Sequence, residues 1–248
     1  VDETIQIGDH DVPFGIDILV SDPSRNNTVI GVEVCEDVWA VEPPSGEMAR
    51  HGASLILNCS ASVDVVGKAD YRRSLVSMQS ARTYTAYVYS AAGPTESTTD
   101  VVYGGHCIIA ECGEVLAQSD RFLLLGTTTV ADLDLERCIR ERMGATSFAQ
   151  EEPLTTMRTI HTRIAQTVKS DVRRVINMHP FVPQRIDERA ERCMEIMSIQ
   201  ATGLAVRIQR SGAQKLIVGL SGGLDSTLAL IVCTKACDLL GIAHDAIL

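Results

Sequence analysis

Two stretches of the chain carry residue types whose spacing could do chemistry. The first, Lys215-Leu-Ile-Val-Gly-Leu-Ser-Gly-Gly-Leu-Asp-Ser226, reads as a short apolar strand, a Ser-Gly-Gly turn and the start of an apolar helix over Leu224–Leu240. A glycine pair at a strand-to-helix junction lets the backbone approach phosphate oxygens closely. The helix start adds free N–H groups and a partial positive charge. The chemistry would be binding of a phosphate-like anion around Gly219, Ser221, Gly222, Gly223, Leu224, Asp225 and Ser226. The turn is neither GxxxxGK[ST], since no lysine stands inside it to hold a transferring terminal phosphate, nor GxGxxG. Read structurally, the same residues are a glycine-rich turn with Asp225-Ser226 as an N-cap.

The second stretch, Thr28-Val-Ile-Gly-Val-Glu-Val-Cys-Glu-Asp-Val-Trp39, runs an apolar strand into Cys35 and follows it at once with Glu36 and Asp37. A thiol at a strand end can be exposed by a sharp turn and act as a nucleophile. A buried core thiol fits these twelve residues equally well. Glu33 stands between two valines of the same strand, where an unpaired carboxylate would be costly, so it requires a partner.

These residues need elements to position them. Strand-like runs rich in Val, Ile and Tyr occur at 15–20, 29–34, 54–58, 86–91, 106–110 and 127–132, separated by turn residues, which predicts a layered α/β domain. A helix over residues 68–83 would carry Arg72, Arg73 and Gln79 on its polar face and pack through Leu75, Val76 and Met78. A charged helical run covers 136–143, and Pro153, Pro180 and Pro183 interrupt the stretch after it, which reads as a connection with short helices. A helical pattern resumes at Arg185 and ends at Ser211-Gly212, and Gly241 should stop the helix that follows the Ser-Gly-Gly turn, which should be buried against its strand. The expected organisation is a first domain over 1–142, a connection over 143–183 and a second domain over 184–248.

Composition narrows the function classes. With 248 residues, 45% apolar content and a net charge of −10, the chain is globular and offers no uniform positive field for a nucleic acid. Eight cysteines without regular spacing suit reduced thiols in a cytoplasmic enzyme. Neither Cys107/Cys112 nor Cys233/Cys237 is a CxxC pair, and no histidine cluster stands near them, so no cysteine metal site is expected. His106 and His179 lie beside apolar residues without a second ligand and read as structural. No run is long and apolar enough for a membrane span. The chain begins at Val1 and ends on Ala246-Ile247-Leu248, which reads as a second strand beginning, so a truncated chain is expected.

The turn at Ser221, Gly222, Gly223, Asp225 and Ser226 resembles the SGGxDS signature of the ATP pyrophosphatase family. The cysteine strand resembles that of nitrilase-type glutaminases, particularly those of glutamine-dependent NAD synthetases. Asn58-Cys-Ser-Ala-Ser62, Gly67-Lys68, Tyr71-Arg-Arg73, Ala86-Tyr-Val-Tyr89, Glu96-Ser-Thr-Thr-Asp100, Phe181-Val-Pro183 and Glu191-Arg-Cys193 match that family's successive blocks. The resemblance implies the C-terminal part of a nitrilase-like α-β-β-α sandwich followed by the start of a Rossmann-like parallel-sheet domain. It implies that Cys35 releases ammonia from glutamine through a thioester, with Glu36, Ser62 and Lys68 at the glutamine site. It further implies that the second domain uses ATP and magnesium, with Asp225 as a metal ligand, to adenylate nicotinate adenine dinucleotide for amidation to NAD, in a cytoplasmic homo-oligomer. Many relatives carry arginine where Lys68 stands, and lysine keeps the charge without the two-pronged grip. The family's catalytic Glu and Lys precede its cysteine strand, and none of the thirty-four residues before Cys35 matches their blocks. A PP-loop enzyme modifying tRNA, or an inert fragment, is the alternative.

Overall fold

The Val- and Ile-rich runs alternate buried and exposed side chains, as strands covered mainly on one face do. In the computed structural model, which describes residues 3–24, 28–150, 152–163, 171–183 and 185–248, the chain divides into two units, Val1–Arg174 and Val175–Leu248. The first opens with a small hairpin of β1 (Thr4–Ile7) and β2 (His10–Pro13). The main sheet uses β3 (Ile18–Asp22), β4 (Thr28–Val34), β5 (Leu55–Ser60), β6 (Ala86–Ala91), β7 (Ile108–Glu111), β8 (Glu114–Gln118) and β9 (Arg158–His161). Their order is β8-β7-β6-β5-β4-β3-β9. The pairs β4/β5, β5/β6 and β3/β9 are parallel, and the rest are antiparallel.

Helices α1 (Pro44–Arg50) and α2 (Lys68–Thr83) pack on one face of this sheet. Between them and the strands lie Leu19, Val38, Met48, Ile56, Val76, Tyr87, Tyr89 and Ile108, each almost wholly buried. An aliphatic side chain so buried contributes about 1.5–3 kcal/mol. On the opposite face Val32 and Val34 are exposed. The described residues thus supply one sheet and one helical layer of the four expected for a complete sandwich. Helix α3 (Leu135–Gly144) is fastened by Arg142, whose guanidinium donates to the carbonyls of Ala49, Ala53, Thr83 and Tyr84. A buried cation there meets the negative ends of α1 and α2. The short helix α4 (Thr146–Ala149) follows.

Several local expectations are corrected. Residues 127–132 are not a strand, because β8 takes the place beside β7 through a two-residue turn with positive φ at both Cys112 (47°) and Gly113 (92°). That geometry matches the right-handed twist of a hairpin. Strand β9, within the stretch read as a connection, was not foreseen; it adds to β3. The face of α2 turned to the sheet is largely polar: Arg72, Val76, Gln79, Ser80 and Thr83 are buried, whereas Met78 is exposed. Buried polar partners replace hydrocarbon there, as described below.

In the second unit, α5 (Ile186–Ser211) ends at Gly212 and α6 (Leu224–Leu240) at Gly241, both glycines left-handed with φ of 68°. Ala205, Ile208 and Ala236 form their shared core, with Leu204, Leu216, Leu240 and Ile242 around it. Leu216 bridges Ile247 in parallel, so α6 is the connection of a parallel crossover. The apolar α6 is buried only at Val232, Cys233, Ala236 and Cys237, because α5 covers that one flank; Leu228 and Ile231 stay exposed.

Candidate functional site

Strand β4 stops at Val34, and Cys35 opens a tight 3-10 turn over Cys35–Trp39 with φ of 52°. A non-glycine residue in the left-handed region costs about 1–3 kcal/mol unless its surroundings hold it there. Here the Asp37 carboxylate accepts from the Val34 amide at 2.7 Å, Val38 is buried in the core, and Trp39 stacks on Tyr71 with ring centres 5.3 Å apart. The result is a half-buried thiol lifted off the strand end. Cys59, by contrast, lies within β5 opposite Val34 and is a regular, exposed strand residue.

The other residues expected around glutamine gather at the same end of the parallel strands. The Cys35–Trp39 turn packs against β5 and the start of α2. Lys68 opens α2 and sets its ammonium 5.2 Å over the Trp39 ring. Glu36 is exposed beside Cys35. Ser62, just past β5, is buried, and its hydroxyl oxygen accepts from Arg72 Nη2 at 3.3 Å. A guanidinium can only donate, so the single hydrogen of Ser62 is left to point at an acceptor such as a ligand carboxylate.

Arg72 itself, expected on an outer face, is wholly buried. It donates to Asp64 Oδ1 at 3.3 Å and to His106 Nδ1 at 3.1 Å, and lies 6.0 Å from the Tyr89 ring. Because Arg72 must be the donor, His106 is neutral with its proton on Nε2. Burial first, then the Arg72 charge, holds the His106 pKa below its ordinary value. Arg121 reaches the same Asp64 oxygen at 3.4 Å. His106 is structural, as its setting in the sequence suggested; His179 is exposed.

Glu33 finds the partners it requires. It accepts from the Ser45 amide in the first turn of α1 at 2.9 Å and from the Tyr87 hydroxyl. Asn58 Nδ2 donates to Tyr87 Oη at 3.2 Å, and Gln79 donates to Ser45 Oγ at 2.9 Å. Burial, then the Glu33 charge, pushes the Tyr87 phenol well up. Glu33 therefore caps α1 and ties sheet to helices; it is not a free base.

The pyrophosphate turn lies in the second unit and is exposed from Gly219 to Asp225. Gly222 is left-handed, with φ of 82°. The N-cap of α6 is Gly223, and no side chain caps the helix, which corrects the reading of Asp225-Ser226 as the cap. The first-turn amides of Leu224, Asp225 and Ser226 accordingly face outward without intrahelical partners. Ser221 and Ser226 place their hydroxyls 3.2 Å apart beside them. Among the described residues, no group of three His, Cys, Asp or Glu side chains could hold a metal by itself. A cavity of about 570 Å³ opens beside α1 and the end of α2, among Arg50, Arg82, Tyr84 and Phe148, and none of the candidate residues lines it.

Comparison with known proteins bears on both stretches. Residues 196–244 match the NAD synthase family. A glutamine-dependent NAD(+) synthetase of Mycobacterium tuberculosis is 39% identical over 99% of this chain. The chain is thus similar to these synthetases along nearly its whole length. The Mycobacterium leprae synthetase is also 39% identical over 99% of the chain, and that of Thermotoga maritima is 30% identical over 85%. The chain spans 37% of the length of the mycobacterial relatives and 34% of the Thermotoga one. A solved synthetase of Cytophaga hutchinsonii aligns with 94% of this chain and 29% of its own, at 22% identity and a TM-score of 0.44. Among the described residues, no helix is long and apolar enough to cross a membrane.

Proposed function

We propose that the chain contributes the thiol of a glutaminase site and the pyrophosphate turn of an ATP-dependent amide-forming site, within a glutamine-dependent NAD synthetase of the cytoplasm. The observation that carries this reading is the left-handed turn at Cys35, where strain lifts a sulfur off the C-terminal edge of parallel strands. Ligands of open α/β sheets bind at that edge. Similarity along nearly the whole chain supports the same assignment.

In this reading Cys35 attacks the side-chain amide of glutamine, the C–N bond breaks, ammonia leaves and a thioester remains for water to hydrolyse. Ser62, its oxygen engaged by Arg72, donates to the substrate carboxylate. Lys68 and Glu36 supply charges for the carboxylate and amino ends. Lysine on the Trp39 face acts as a point charge, without the fork of an arginine.

At the turn, the amides of Leu224, Asp225 and Ser226 and the hydroxyls of Ser221 and Ser226 hold the pyrophosphate of ATP while nicotinate adenine dinucleotide is adenylated on its carboxylate. Gly219, Gly222 and Gly223 leave the backbone open to that approach. Magnesium fits the donor set only as a nucleotide complex: it is bound through one or two carboxylates and phosphate oxygens, and exposed Asp225 supplies one carboxylate. The ion would offset phosphate charge.

In the full-length protein, Cys35→Ala is expected to abolish glutamine-supported NAD formation and leave ammonia-supported formation intact. Equal loss with both nitrogen sources would defeat the assignment. Asp225→Ala is expected to abolish ATP–pyrophosphate exchange, and unchanged exchange would contradict its role.

A further inference from the structure

Cys112 and Cys138 are separated by twenty-five residues in the chain, and nothing in their spacing pairs them. The fold brings their sulfurs to 3.5 Å. Among the described residues it is the one hydrogen bond between two cysteine sulfurs. Cys112 sits in the left-handed turn between β7 and β8, half-buried, and Cys138 is fully buried on the inner face of α3. Neither belongs to the sites described above.

We propose that Cys112 and Cys138 are a modification site, a dithiol that a small peroxide oxidises to a disulfide. The more accessible Cys112 is the attacking sulfur and Cys138 the resolving one. The directions in which the two thiols are shifted agree with this order. The hydrogen bond with Cys138, against the opposing effect of burial and with help from the Arg137 charge, lowers the Cys112 pKa, while the same contact and burial raise that of Cys138. Of the two sulfurs, Cys112 is therefore the one that ionises more readily, and the thiolate is the form that reacts.

The chemistry balances with hydrogen peroxide as the oxidant. The Cys112 thiolate attacks one peroxide oxygen, the O–O bond breaks, hydroxide leaves and a sulfenic acid forms. The Cys138 sulfur then attacks the Cys112 sulfur, water leaves and the S–S bond forms, so two thiols and one peroxide give one disulfide and two waters. The sulfurs must close by about 1.5 Å to reach a disulfide bond length of roughly 2.05 Å. In a reducing compartment the pair stays a dithiol until peroxide appears. Oxidation would staple the β7–β8 turn to α3, the helix that Arg142 holds against the ends of α1 and α2.

The test treats the full-length protein with hydrogen peroxide and digests it without reductant using trypsin and a glutamate-specific protease. That digestion releases Cys112-Gly-Glu114 and Cys138-Ile-Arg140 as separate tripeptides unless a disulfide joins them. The joined pair is the expected product, formed ahead of oxidation at exposed Cys59 and Cys193. Cys138→Ser should leave a Cys112 sulfenic acid that a 1,3-diketone traps, and Cys112→Ser should leave Cys138 unreacted. Should either variant fail to fold, a brief iodoacetamide pulse on the unaltered protein decides the order, Cys112 being alkylated first. Oxidation of Cys59 or Cys193 with 112 and 138 unjoined, or a link from Cys112 to Cys107, would overturn the proposal.

Discussion

Replacing Arg72 by leucine tests the least expected feature of the site, a guanidinium buried with one carboxylate. The change keeps bulk near the Tyr89 ring but removes the hydrogen bonds to Asp64, Ser62 and His106. It leaves the Asp64 side chain, 5% exposed, facing only Arg121, itself 34% exposed. Breaking a buried ion pair from one side costs about 3–5 kcal/mol, because the remaining charge is uncompensated. Arg121 supplies part of the compensation, so the lower end, about 3 kcal/mol, is expected. The coupling is read by repeating the change after Asp64→Asn, where the cost should shrink by about 1–3 kcal/mol. Trp39 is the chain's single tryptophan and belongs to the first unit, so its fluorescence in a urea titration follows that unit alone. A loss below about 1 kcal/mol, the scale of one ordinary hydrogen bond, or the same loss with and without the Asp64 charge, would refute this account of the pair.

Further outcomes follow from the same geometry. A methyl group on Gly104 would lie 1.9 Å from Asp64 Oδ2, so Gly104→Ala should destabilise the first unit by about 1–3 kcal/mol, whereas Gly203→Ala on exposed α5, with open space around it, should stabilise the second by about 0.5–1 kcal/mol; urea transitions followed by far-UV circular dichroism that are unmoved from those of the unaltered protein would contradict the packing. Because the folded state lowers the His106 pKa, the unfolded chain takes up that proton first, and stability should be complete above about pH 6.5 and fall as pH drops below it; His106→Asn should flatten that part of the pH profile. Glu47 shows a lower window. Burial works to raise its pKa, but the Thr155 and Leu154 amides, the Thr155 hydroxyl and Arg50 outweigh it and carry the value down to about 2. Its contribution is present above about pH 4.5 and lost as pH falls toward 2, and Glu47→Gln should remove that window from acid titrations.

The parts of the fold legible in the sequence are those set by local chemistry. Strand β6, helix α2, helix α6 and the glycine stops at Gly212 and Gly241 follow from β-branched runs, period and cap residues alone. The sharp turn at Cys35 was also legible, from a strand running straight into acidic residues. What the sequence concealed were tertiary decisions. Arg72, Val76, Gln79, Ser80 and Thr83 recur at the spacing of an apolar stripe, but polarity made that face look solvated. Only the fold shows that Asp64, Ser62 and His106 arrive to satisfy it. The β7–β8 hairpin was hidden because Cys112-Gly113 fills a turn where asparagine or aspartate usually precedes the glycine. The burial of Glu33 was foreseen, its role as a cap for α1 was not, since the two are twelve residues apart.

The reacting sulfur can be identified directly by treating the full-length protein with a diazoketone analogue of glutamine and mapping the adduct. Trypsin separates the two neighbouring candidates, because the peptide over 26–50 carries only Cys35 and the peptide over 51–68 only Cys59. A single adduct on 26–50, suppressed by added glutamine, is the predicted result. An adduct on 51–68, or full loss of glutamine-driven turnover with 26–50 unlabelled, would contradict it.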